Sequence, residues 1–366
     1  MQNSNRWSID HCKKNRYRHK FTDVVRILGE WFEPYGGFEG KDVLEFGCGE
    51  GTVALSIALQ HNPRRIVGVD ILDVHNQCLP LARENLRLQS LPDNLELKKI
   101  APGEDFLSLG RFDCIYSWSA FEHVAQDLLR GTFRTLKSVL KPGGSIFLQA
   151  TPLFYSRDGS HLAAWIPIPW GHLTTQADTY YKRLMSAPDT PEEVRSDWTV
   201  YIPLGTERDE ERRLMWEIYE SLNRTTAPQL ERLAQEEGLH IVRDFRTRID
   251  DPIPGFLAET FDEDILRTDQ IAWMLQHSEF VELRNTLDRA RQEAELRILK
   301  VYAEKGALDE ENKALYASRD NLAAEKEKLV EELARVEAAL NTIYMSRSWK
   351  ITKPLRWITG LMKRIF

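Results

Sequence analysis

Two hydrophobic periods alternate along the first three-quarters of the chain. In FTDVVRILGEWF (21–32) apolar side chains recur every three or four positions, which predicts an amphipathic helix, and PYGG then stops it. DVLEFG (42–47) and RIVGVDI (65–71) are short, nearly continuous apolar runs that read as buried strands, and GTVALSIALQ and NQCLPLARENLRLQ follow them as helices. NLELKKI, FDCIYSWS and GGSIFLQA supply three more strands, with AQDLLRGTFRTLKSVL as a helix between the last two. Strands alternating with helices at this spacing predict an α/β fold, a parallel, doubly wound sheet with helices on both faces.

Between Thr151 and Thr225 the alternation lapses into an aromatic and proline-rich stretch, PLFYSRDGSHLAAWIPIPWGHLTTQADTYYKR, long enough to be a lid or substrate-binding insertion. The sheet pattern resumes with QLERLAQEEGL as a helix, HIVRDFRTRI as a strand and QIAWMLQH as a last edge strand. Residues 1–279 are thus expected to form one domain, with 151–225 as its insertion.

Residues 280–345 change character, to Ala, Glu, Lys, Leu and Arg without proline. Leu308, Leu315, Leu322, Leu329, Val336 and Ile343 recur every seven residues, joined by Leu333 and Leu340, which predicts a coiled coil and a homo-oligomer. Asn312, Arg319 and Lys326 hold the other seam position, a choice that fixes register more than it adds strength. The series reaches back through Val301, Ala294, Leu287 and Phe280, with a change of phase near Gly306. One long solvated helix packed back on the domain is the alternative.

The formal net charge is −7, yet the last stretch, SRSWKITKPLRWITGLMKRIF (346–366), carries six Lys or Arg and no acid. From Pro354, Leu355, Ile358, Leu361, Met362 and Ile365 fall on one helical face, with Arg356, Lys363 and Arg364 away from it. A basic amphipathic helix with Trp349 and Trp357 near its boundary suits an anionic membrane surface. Docking on the chain's own domain or on another protein is the alternative. No run of 18 apolar residues occurs, and the N-terminus lacks the apolar core of a signal peptide. The expected location is cytoplasmic, peripheral on the inner face of the cell membrane. Cys12, Cys48, Cys78 and Cys114 form no C-x-x-C pair, so neither a disulfide framework nor a zinc ribbon is expected.

Chemistry enters at VLEFGCGEGT. A strand delivers Glu45, and Gly47, Gly49 and Gly51 then form a tight turn opening into a helix. Glycines permit positive φ and close approach of a ligand, and the helix N-terminus adds oriented N–H groups. The next strand ends in Asp70, the expected place for a carboxylate accepting from a ribose diol; a helix cap is its other reading. A dinucleotide would need G-x-G-x-x-G around its pyrophosphate. G-C-G-E-G preceded by an acid suits instead a cofactor with a cationic amino-acid portion and no phosphate.

Residues 42–52, Asp70, FDCIYSWSAFEHV (112–124) and LKPGG (140–144) resemble the successive motifs of class I S-adenosylmethionine-dependent methyltransferases, with a Rossmann-like sheet. The resemblance implies S-adenosyl-L-methionine as cofactor, with Gly47, Gly49 and Gly51 bordering its methionine part. By the same resemblance Glu45 orients the loop or contacts the amino group, and Asp70 holds the ribose. Glu104 or Asp105 in APGEDF matches the adenine contact, although GED departs from the commoner Gly-Asp-Ala, and Ser117 and Trp118 face the methionine end. Cys48, Ile71 and Phe106 complete the expected cofactor set.

Methyl transfer to a hydroxyl needs alignment, exclusion of water and a base, for which histidine is the natural candidate. Glu122 and His123 lie where the family often carries Glu-His; a structural role for His123 competes with that of base. His161 and His172, in GSHLAAWIPIPWGHL, form the preferred pair, with Trp165 and Trp170 available to stack on a sugar ring. Their H-x₁₀-H spacing without a nearby Cys or acid cluster leaves no metal expected. An acidic balance, no basic stripe and no Asn-Pro-Pro-aromatic tetrad argue against nucleic acid as partner.

SRSWKITKPLRW also resembles the segment that follows coiled coils in bacterial surface-polysaccharide enzymes, including glycosyltransferases and O-antigen chain-terminating methyltransferases. This implies an O-methyltransferase that caps or decorates a lipid-linked O-antigen or capsule glycan, with a glycosyltransferase or polymerase as a further partner. The known bifunctional terminators carry a kinase domain that this chain lacks, so direct O-methylation of a sugar is expected over phosphate methylation. A methyltransferase for a small molecule or lipid, and a cofactor-binding scaffold recruiting a polymerase, are the alternatives.

Overall fold

A computed structural model describes residues 7–191, 194, 198, 201–203, 205–305 and 312–345 of the 366. The chain divides into two compact units, residues 1–281 and 282–366.

In the first unit α1 (Asn15–His19) runs through a π-turn at Lys20–Val24 into α2 (Val25–Phe32), so the first helix begins earlier than its apolar periodicity predicts. Then come β1 (Asp42–Phe46), α3 (Thr52–Gln60), β2 (Arg65–Asp70), α4 (Cys78–Leu86), β3 (Leu95–Lys99), β4 (Phe112–Trp118), α5 (Leu129–Val139) and β5 (Leu140–Ala150). The region 151–225 holds α6 (Gly171–Thr174), α7 (Ala177–Ser186) and α8 (Arg208–Ser221). The sheet resumes with α9 (Ala227–Glu236), β6 (Leu239–Arg248), α10 (Gly255–Thr260), α11 (Glu263–Arg267) and β7 (Thr268–His277).

The seven strands lie in the order β3-β2-β1-β4-β5-β7-β6. The first five are parallel, but β7 is antiparallel to both β5, with Ile146 opposite Leu275, and β6. The sheet is therefore mixed, and β6 rather than β7 is its edge. The sequence carries the reason: IAWML in β7 is buried on both faces, as an interior strand requires, whereas HIVRDFRTR in β6 exposes charged residues, as edges do.

One face is covered by α5 and α9, whose Phe133, Leu136, Val139 and Leu230 pack on Leu44, Ile115, Leu148 and Trp273. The other is covered by α2 and α3, with Leu28, Trp31, Val53 and Ile57 on Val43, Tyr116, Phe147 and Met274. At the end of the sheet opposite the glycine turn, Lys141 at the start of β5 donates to Asp42 at 2.8 Å and Asp113 at 2.7 Å, tying β5 to β1 and β4.

The insertion is a helical layer with its own core, built from Leu162, Trp165, Ile166, Tyr180, Leu184 and Met215. Its buried Arg212 bonds Glu211 at 2.5 Å, Thr190 at 2.6 Å and the Pro188 carbonyl at 2.7 Å, so the charge is paired within the layer. Trp165 and Trp170 are buried, at 5% and 0% exposure. Neither ring is free to stack on a sugar, because each closes a core: the Trp165 indole N–H donates to Thr190 and that of Trp170 to the Tyr155 carbonyl.

Helices α12 (Ser278–Lys305) and α13 (Asn312–Met345) span the heptad region. Residues 306–311, where the seam changes phase, and the basic tail 346–366 lie outside the described residues. Among the described residues no helix is long and apolar enough to cross a membrane.

Candidate active site

Strand order reverses between β1 and β4, and ligands of such sheets sit in the crevice beyond the carboxyl ends of the strands at that point. Gly47 follows β1 with φ +79°, and a Cβ there would lie 2.3 Å from the Cβ of Ala120, just past β4. The two loops close on each other, and only glycine fits. The Gly49 N–H donates to Asp70 Oδ2 at 2.7 Å and the Leu72 N–H to Oδ1 at 2.8 Å. Burial pushes the Asp70 carboxyl up while these bonds pull it down.

A cleft of about 260 Å³ opens here, lined by Gly47, Asp70, Ile71, Glu104 and Phe106 on one side and by Ala120, His123, Leu128 and Tyr201 on the other. Phe106 is buried, its ring 6.1 Å from that of Phe46. Ile71 is 47% exposed, an apolar surface left open along the cleft. Of the two acids in GED, Glu104 lines the cleft while its Oε2 accepts the Ala101 N–H at 2.6 Å; Asp105 is exposed and lies outside.

Several expected cofactor residues lie behind the cleft. Glu45 is buried and accepts the Ala54 N–H at 3.0 Å, which fixes the start of α3; burial raises its carboxyl to about 8. Cys48 is buried against Gly68, and burial holds its thiol protonated. Gly51 turns the chain into α3 with φ +79°, where a Cβ would meet Leu97 at 2.5 Å. Ser117 is buried and Trp118 stacks on Phe147, centroids 6.0 Å apart, on the α2/α3 face, so neither faces the cleft. The turn is also held from outside: Lys20 of the π-turn donates to Glu50 Oε1 at 2.8 Å, a pairing invisible in the sequence.

The expected histidine pair is not the one the fold makes. His161 lies edge-on to His123, centroids 5.1 Å apart, whereas His172 packs on Phe154 and its Nε2 lies 2.6 Å from the Phe154 carbonyl. His172 thus serves the insertion's core. Tyr201 stands 5.5 Å from His123 and Trp198 6.0 Å from His161, both partly exposed. Burial lowers His123 to about 3 and His161 to about 4, so both are neutral near pH 7. Glu122 completes the cluster, its carboxyl raised by burial to about 8. Tyr201 had no sequence signal, because its place depends on how the insertion folds back.

The cleft meets the needs of a donor without phosphate: a bare glycine cradle, a carboxylate ending β2, an apolar wall and no lysine or arginine among its lining residues. Fold and cleft define a class I methyltransferase. Residues 14–243 match the family described as Methyltransferase domain, and the chain belongs to it. Its methyl donor is S-adenosylmethionine.

Among similar proteins, the 7SK snRNA methylphosphate capping enzyme of Mus musculus is 37% identical over 81 residues, 21% of this chain and 11% of that protein. The Ubiquinone biosynthesis O-methyltransferase of Acinetobacter baumannii (strain AYE) is 33% identical over 118 residues, 31% of this chain and 46% of that protein. The chain therefore spans less than half the length of either relative. Magnesium protoporphyrin IX methyltransferase (ChlM) from Synechocystis PCC 6803, solved with bound SAH, aligns with a TM-score of 0.39 at 13% identity, covering 71% of this chain and 85% of that one.

Proposed function

We propose that the protein is an O-methyltransferase whose acceptor is a sugar hydroxyl of a lipid-linked surface polysaccharide, capped or decorated at the inner face of the membrane. The observation that carries the acceptor chemistry is the convergence of Glu122, His123 and His161 beside the partly exposed rings of Tyr201 and Trp198. A hydroxyl must lose its proton to be methylated, and this cluster is where that proton is taken or made easier to lose. The two rings take over from Trp165 and Trp170 as flat apolar faces against which a sugar ring can lie.

The donor, when bound, supplies a methyl carbon activated by its sulfonium. What remains for this chain is to align the acceptor oxygen in line with it and exclude water. The basic tail and the heptads of 280–345 support the glycan reading: they would hold an oligomer at an anionic surface, where a lipid-linked glycan grows. The test is transfer of a labelled methyl group to lipid-linked glycan from the source organism, wild type against Gly49→Arg. Label that appears in glycan and is lost in the variant supports the reading, and its absence with the donor bound overturns it.

A second reading is favoured by the apolar wall of the cleft and by similarity to an enzyme named for ubiquinone biosynthesis. In it, the acceptor is a hydroxylated aromatic or lipid reached from the membrane, and label would then appear in the lipid extract.

A further inference from the structure

Glu122 is 5% exposed, and neither of its carboxylate oxygens has a hydrogen-bond partner among the described residues. The backbone N–H groups of Glu122 and Thr151 approach it and pull its carboxyl down against burial, without reaching hydrogen-bond geometry. A buried carboxylate without a partner is costly and calls for a cation or a proton. One ligand atom from each of Glu122, His123 and His161 lies within 4.8 Å of the other two. His161 holds φ +60°, a backbone conformation rare for a side-chain-bearing residue and of the kind retained at functional sites. Its Nε2 lies 3.3 Å from the Pro152 carbonyl, which can accept only if that nitrogen carries the proton, leaving the lone pair on Nδ1. A backbone carbonyl fixing the tautomer in this way is the usual support of a metal-binding imidazole.

We propose that Glu122, His123 and His161 bind a divalent transition-metal ion, with open positions for the oxygens of the acceptor. Two imidazoles and one carboxylate suit zinc or manganese better than magnesium or calcium, which prefer oxygen. Ligand atoms about 2.1 Å from an ion sit roughly 3–3.5 Å apart, so atoms already within 4.8 Å of one another have less than about 2 Å to close. His123 also lines the donor's cleft, which sets the ion at its acceptor end.

The inference rests on the reading of this cluster as the acceptor's site. Held on the ion, an acceptor hydroxyl becomes acidic near neutral pH. Its oxygen releases the proton to solvent and forms the new C–O bond as the donor's C–S bond breaks, with the electron pair passing to sulfur. Adjacent hydroxyls of a sugar, or a catechol-like diol, would occupy two open positions together. The ion thus selects acceptors with paired oxygens.

The test is calorimetry on the untagged full chain, stripped with EDTA and dialysed, titrated with Mn²⁺ and separately with Zn²⁺. One equivalent of either ion is expected, with binding at least tenfold weaker in Glu122→Gln and in His161→Ala. S-adenosylhomocysteine binding, kept within threefold in each variant, shows that the fold is intact. Should Glu122→Gln lose it, His161→Ala decides alone, since His161 lies outside the donor's cleft. No stoichiometric binding of either ion, or equal binding in a folded variant, overturns the site. Ion binding needs no acceptor, so a bound ion without methyl transfer to glycan would sink the glycan reading and leave this one standing.

Discussion

The Gly49 N–H donates to Asp70 Oδ2 at 2.7 Å, so the glycine turn after β1 and the carboxylate that closes β2 form one unit. Asp70 shapes the turn with one oxygen and offers its remaining lone pairs to the cleft. Asp70→Ala removes both functions, and calorimetry should show S-adenosylhomocysteine binding weakened at least tenfold. Unchanged affinity would remove Asp70 from the donor's site.

Space and backbone strain can be separated at two glycines. Gly47 and Gly37 both hold positive φ, +79° and +61°, but only at Gly47 would a Cβ collide, 2.3 Å from Ala120, whereas Gly37 has nothing within 4 Å. Alanine at either position incurs about 1–2 kcal/mol of left-handed strain. Gly37→Ala should therefore lower stability by about that much and leave donor binding intact, while Gly47→Ala should abolish donor binding. Comparable binding in the two variants would contradict the closure of the β1 and β4 loops.

The sheet was legible because its strands are apolar runs between glycine turns, and the donor's site because it follows from strand order. Legibility failed where packing decides. Glu45 has the spacing of a ligand, but its side chain turns back onto α3. His161 and His172 look paired in the sequence, yet His161's neighbour in space comes from the loop after β4. No local pattern sets that distance, because it depends on how the insertion lies over the sheet. The placement of β7 inside β6 was written in its unbroken apolar run, which argues against an edge.

The buried Glu45 makes stability depend on pH. Its folded pKa, raised to about 8 by burial, exceeds the ordinary value of 4.5, so its contribution is fully present below pH 4.5 and is lost as the pH rises through 8. Glu45→Gln keeps an acceptor for Ala54 and removes the titration. Thermal melts should show the variant gaining on the wild type between pH 6 and pH 9, by several degrees at about 2–4 °C per kcal/mol. A constant gap across that range would mean that Glu45 is ionised throughout.

Lys20 and Glu50 join the π-turn to the glycine loop at 2.8 Å, and Glu50 is 7% exposed. With burial opposing it, the charge of Lys20 still holds Glu50 down to about 2. A carboxyl depressed in the folded state contributes stability above pH 4.5, lost as the pH falls toward 2. Lys20→Met removes the cation bonded to that buried carboxylate and leaves Arg16 as a second positive charge acting on it, at a cost of about 2–3 kcal/mol, between that of an exposed pair and a fully buried one. Urea titrations at pH 7 should show this loss, and at pH 3.5 the gap between wild type and variant should narrow as Glu50 takes up a proton in the variant. Donor affinity should fall as well, because the freed Glu50 flanks the Gly49 amide that holds Asp70. Stability lost equally at both pH values would assign the effect to packing of the lysine stem, and unchanged donor affinity would uncouple the π-turn from the site.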